Sequence, residues 1–118
     1  TAAISWFGTW NGLMQPGNNV LRGQSAFYML HPGLAGHLDI PDIASIAAPR
    51  PMLIYSGGQD KLFPAAAVND AFAKVHNVWA SQNAQDKLET RTWPELGHVF
   101  YQEQQDEVFP WLDKWLKP

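Results

Sequence analysis

The 118-residue sequence contains no cysteine. Disulfides, structural thiolate metal sites and cysteine nucleophiles are therefore excluded, and since a reducing cytoplasm and a cysteine-free secreted protein fit equally well, the compartment stays open. Charge is also sparse, with eight Lys and Arg against 11 Asp and Glu, a formal net charge of -3 and no basic run. A phosphate backbone would meet no electrostatic footprint here, so nucleic acid is not expected as a partner. No apolar run approaches the roughly 18 residues that cross a bilayer, and the basic start and apolar run of a signal peptide are missing, so no membrane partner is expected and the chain reads as soluble. Internal repeats and low-complexity tracts are lacking as well. What is present is a 46% hydrophobic composition with nine Gly and nine Pro spread between apolar runs, the balance of a single packed domain rather than a disordered chain.

Along the chain, Ala2 to Phe7 is a short apolar run stopped by Gly8, which suits a buried strand. Residues 8–41 are rich in Gly, Asn, Pro and aromatics and have no sustained period beyond a short helix expected around Ser25 to Leu30. Excursions of that length usually carry function or cover something, and this one is expected to overhang an active-site rim. Pro41 to Ala47 can form about two helical turns. Pro51 to Ser56 is nearly continuously apolar and closes on Gly57-Gly58, the pattern of a central parallel strand covered on both faces. From Pro64 onward, Val68, Ala71, Phe72, Val75, Val78 and Trp79 fall on one face of a helix. Leu88 to Trp93 alternates, as expected of a strand nearer a sheet edge. Gln102 to Leu116 places Val108, Trp111, Leu112, Trp115 and Leu116 at helical spacing, with Pro110 expected to kink the helix or mark its true start. This alternation predicts an α/β fold with a parallel sheet and flanking helices, whose functional residues gather beyond the C-terminal ends of the strands.

Asp60 and His98 hold equivalent places, each just past the end of a predicted strand. An aspartate there can accept a hydrogen bond from His Nδ1-H, fix the tautomer that leaves Nε2 as a general base, and stabilise the imidazolium once it forms. The plainer alternative is that Asp60 turns the chain and caps the next helix while His98 is an ordinary loop residue. The joint placement at two strand ends favours the acid and base of a hydrolase triad.

The stretch Ala48-Pro49-Arg50-Pro51-Met52-Leu53-Ile54-Tyr55-Ser56-Gly57-Gly58-Gln59-Asp60-Lys61-Leu62-Phe63-Pro64, followed by Gly97-His98 and a closing amphipathic helix, resembles the C-terminal part of an α/β-hydrolase of the dienelactone-hydrolase and acetylxylan-esterase-like branch. The resemblance implies that Asp60 and His98 are triad acid and base, that a serine is the nucleophile, that no cofactor is needed and that the substrate is a small ester, such as an acylated carbohydrate. The family places its serine in a Gly-x-Ser-x-Gly elbow between a strand and a helix. The nearest match here is Gly23-Gln24-Ser25-Ala26-Phe27, with Phe27 where the second glycine should stand and no apolar strand before it. Ser25 thus reads as a cap or loop serine, and Ser5, Ser45, Ser56 and Ser81 have weaker claims. The nucleophile and oxyanion hole are expected N-terminal to Thr1, which makes residues 1–118 a single partial α/β-hydrolase domain. A non-catalytic binding or assembly module, pairing as a homodimer or with an N-terminal partner chain, and a prolyl-oligopeptidase-like peptidase portion are the alternatives.

Other constellations carry less. His31, His37, Asp39 and Asp42 match no standard zinc spacing, and no metal is assigned. Trp6, Trp10, Phe27 and Tyr28 could line a sugar or acyl pocket, since flat rings stack on sugar faces. Core packing is expected of Trp6, whereas Trp10 is kept as a candidate substrate contact. Trp79, Trp111 and Trp115 are expected in the core. Arg22 and Arg50 could orient a substrate carboxylate or pair with surface aspartates.

Overall fold

The computed structural model describes residues 1–18 and 31–117. Among them, three parallel strands form one sheet: β1 (Ala2–Ile4), β2 (Met52–Gly57) and β3 (Leu88–Trp93), in the order β1-β2-β3. Ala2 pairs with Leu53 on one side of β2, and Met52 to Gly57 pair with Leu88 to Trp93 on the other. Every residue of β2 is buried, which is why its sequence is an almost unbroken apolar run, whereas β3 alternates because one of its faces meets solvent. The connecting helices are α1 (Trp10–Leu13), α2 (Ile40–Ser45), α3 (Ala65–Ser81) and α4 (Gln102–Leu116).

The two faces of the sheet are covered by different helices. Met52 and Ile54 pack against Ala71, Val75 and Trp79 of α3, while Leu53 and Tyr55 meet Val108, Trp111 and Leu112 of α4. The period-2 alternation of β2 and the 3.6-residue period of α3 thus interlock as expected. At the end of α3, Asn83 adopts φ 53°. Its N-H donates to Ala80 O and that of Ala84 to Trp79 O, with Ala84 and Trp79 sharing one core cluster; this is a Schellman termination.

Some expectations shift. β1 ends at Ile4 instead of reaching Phe7, because Ser5 takes a left-handed φ of 52° and turns the chain. The 8–41 excursion contains α1, capped by Thr9 Oγ1 accepting from Gly12 N, and the start of α2. The short helix expected near Ser25 lies outside the described residues. Pro110 is not the start of the last helix: α4 runs unbroken from Gln102, where the Gln104 side chain accepts from Tyr101 N. The proline ring removes one N-H to the Asp106 carbonyl, and both residues lie on the exposed side, where water can replace that bond.

Candidate active site

Parallel strands send all their C-terminal ends to one rim, so the loops after β1, β2 and β3 meet there. The loop after β2 begins with Gly57-Gly58, and its two glycines answer to close packing. A Cβ on Gly57 would overlap the carbonyl oxygens of Leu96 and Gly97, and one on Gly58 would press on the Pro94 backbone. The loops after β2 and β3 are stitched together by Gly58 N donating to Trp93 O and Gln59 N donating to Leu96 O, both at 2.8 Å. This contact brings Asp60 and His98 within bonding distance.

The Asp60 side chain is fully buried, and a buried carboxylate requires partners. Oδ1 accepts from Leu62 N at 2.8 Å and Phe63 N at 3.2 Å, while Oδ2 accepts from His98 Nδ1 at 3.0 Å. Asp60 therefore both turns the loop and orients the histidine. With Nδ1-H donated to the carboxylate, the lone pair of the imidazole lies on Nε2. That nitrogen has no hydrogen-bond partner among the described residues, and the ring is 44% exposed. Phe63, itself buried, stacks on the imidazole with centroids 5.9 Å apart and an interplanar angle of 11°. The imidazole is thus held by a buried carboxylate and a buried ring while staying partly open to solvent.

No serine among the described residues hydrogen-bonds His98. Ser5 is buried with Oγ donating to Val99 O, Ser45 and Ser81 donate to carbonyls of their own helices, and Ser56 is wholly enclosed. Ser25 lies outside the described residues, as do Arg22, Phe27 and Tyr28. Trp10 is buried and borders an apolar cavity of about 340 Å³ with Phe7, Ile40 and Ile43. Trp6, expected in the core, is instead 54% exposed at the rim. Asp39 and Asp42 serve α2 as a reciprocal cap: Asp39 Oδ1 accepts from Ile40 N and Trp10 N, and Asp42 Oδ2 accepts from Asp39 N. His31 and His37 are exposed. Trp79 is fully buried as expected, with Nε1 donating to Arg50 O, and Trp111 and Trp115 are partly buried. The sequence does not single out Phe63 as a neighbour of His98, because its place between Asp60 and the next helix reads equally well as simple core packing.

Comparison with known proteins bears on the fold. No family model matches the chain. It is 34% identical over 90 residues to the Bacillus subtilis (strain 168) protein described as "Putative hydrolase YtaP", a match covering 76% of this chain and 30% of that protein. Among solved structures, methylesterase BT1017 superposes with a TM-score of 0.58 at 25% identity, over 68% of this chain and 18% of that one. Acyl-protein thioesterase 2 of Zea mays superposes with a TM-score of 0.52 at 18% identity, over 98% of this chain and 39% of that one. The chain thus spans about a third of the length of the curated relative it matches. The parallel sheet with flanking helices is an α/β-hydrolase fold.

Proposed function

We propose that this chain, built on an α/β-hydrolase fold, supplies the acid and the base of a serine-type carboxylic-ester hydrolase. The observation that carries the reading is the buried Asp60 carboxylate bonded at 3.0 Å to His98 Nδ1, in a ring that is 44% exposed and whose Nε2 has no hydrogen-bond partner among the described residues. The names of the relatives, a hydrolase, a methylesterase and an acyl-protein thioesterase, support acyl transfer as the chemistry. A serine hydroxyl supplied from outside the described residues would attack the ester carbonyl. His98 Nε2 takes the hydroxyl proton, and Asp60 holds the imidazolium that results. The same proton then goes to the leaving alkoxide, an acyl-enzyme remains, and water activated by Nε2 releases the acid. A small ester, with acylated carbohydrate as the first candidate, is the substrate class this reading favours.

The test measures 4-nitrophenyl acetate hydrolysis and fluorophosphonate labelling in this chain, and in a YtaP chimera carrying it in place of the matching segment. His98→Ala is expected to lower turnover by about a thousandfold or more wherever turnover is found. Equal turnover in the parent and in His98→Ala would overturn the assignment. A label on Ser25 would place the nucleophile within the chain.

A further inference from the structure

The route of the chain just after β1 is unusual for its sequence. Ser5 N still donates to Tyr55 O at 2.8 Å, continuing the ladder, yet its φ is 52°, a conformation that non-glycine residues adopt at a cost. Continued extension would alternate sides and send Trp6 the way of Ala2 and Ile4, into the cluster under α4. The left-handed turn instead leaves Trp6 outside, 54% exposed, while Phe7 joins Ala3 in the cluster under α3. Ser5 is held in this conformation from the far side, because its Oγ donates to Val99 O, the residue next to His98. The strained position and the catalytic loop are therefore joined.

Trp6 is placed with equal definition. Its indole leans on Phe63 with centroids 6.1 Å apart at 49°, and the Phe63 ring stacks on His98. One buried phenyl ring thus supports both the base and an exposed indole at the same rim. An exposed indole one ring removed from the imidazole is a surface on which a flat uncharged ring gains contact and desolvation.

We propose that Trp6 is a specificity-determining residue, a stacking platform that takes the ring of a ring-bearing neutral ester and sets the ester group toward His98 Nε2. The proposal rests on the hydrolase reading for what His98 then does, but the binding it states can be read without turnover. The shared chemistry is a ring face, which a pyranose or an aryl group can supply.

The experiment follows the Trp6 indole Nε1-H signal, assigned by its loss in Trp6→Leu, and the His98 ring signals by NMR in this chain. Three probes are titrated: an acetylated methyl xylopyranoside, methyl benzoate and the ringless methyl acetate. Saturable movement of both the Trp6 and His98 signals with at least one ring-bearing probe, and none with methyl acetate at the same concentration, is expected. Trp6→Leu should weaken that binding, read at His98, about fivefold, and Trp6→Phe should keep most of it. Comparing the first two probes tells sugar from aryl. A Trp6 signal that no ring-bearing probe moves, a Trp6 response without one at His98, or unchanged affinity in Trp6→Leu would overturn the proposal. Loss of the hydrolase reading shows separately, as ester turnover indifferent to His98→Ala.

Discussion

The two carboxylate oxygens of Asp60 have different partners, one set by the fold and the other the proposed base. Oδ1 closes the turn by accepting from Leu62 N and Phe63 N, and Oδ2 accepts from His98. The division makes two substitutions separable. Asp60→Asn can keep an oxygen toward the turn, but its amide then presents N-H groups to His98 Nδ1 and favours the wrong tautomer. Ester turnover should fall by about 10³ to 10⁴-fold, with stability close to the parent's. Asp60→Ala removes both roles, leaving two loop N-H groups without their acceptor. It should lose turnover equally and also cost roughly 1–3 kcal/mol in urea denaturation. A similar unfolding midpoint for the two variants would show that Oδ1 does not stabilise the loop.

At the scale of elements, helix α3 is the wall on which the rim is built, since it begins directly after the Asp60 loop and runs back along the sheet. Its C-terminus relies on Asn83 at the left-handed position of a Schellman motif. Asparagine tolerates that conformation better than most residues, but glycine adopts it without a Cβ penalty. The Asn83 side chain is exposed, so little packing is lost by removing it. Asn83→Gly is therefore expected to raise stability by about 0.5–1 kcal/mol, visible as a higher thermal midpoint. A lowered midpoint would mean that the asparagine side chain contributes more than its backbone conformation costs. The paired glycines after β2 are the opposite case, required by neighbouring backbone and not by φ, since Leu96 and Gly97 occupy the space a side chain would fill.

Across the whole molecule, the sheet and α4 are pinned together through one buried phenol. Tyr55 OH on β2 lies 3.0 Å from both Glu89 on β3 and Glu107 on α4, and Arg91 Nη1 donates to both oxygens of Glu107. Burial, then the hydrogen bonds to Glu107 and Glu89, hold the Tyr55 hydroxyl well above the ordinary tyrosine range. Because ionisation is harder in the folded chain than in the unfolded one, this group's contribution is fully present below the ordinary value of about 10. It is lost progressively as pH rises beyond that value. Stability in urea should therefore fall more steeply between about pH 10 and pH 11.5 in the parent than in Tyr55→Phe. The variant should also be weaker by roughly 1 kcal/mol at neutral pH, having lost its hydrogen bonds. Parallel pH profiles would show that the phenol is not the group responsible.

Much of this protein was determined by local pattern. The continuous apolar run of β2, the single apolar stripe of α3 and the alternation of β3 each encode burial directly, because side-chain period follows backbone geometry. Once the strands were known to be parallel, the chain positions of Asp60 and His98 put them on one rim. What only the tertiary structure decided depends on contacts between residues far apart in sequence. The exposure of Trp6 follows from the turn at Ser5, which leans on Val99 across the sheet. The stacking of Phe63 on His98 requires two loops that approach through glycines, each meeting the other's backbone. Period and propensity act over a few residues, whereas a left-handed serine and a stacked ring are set by partners about 35 to 95 positions away, where local rules have no reach.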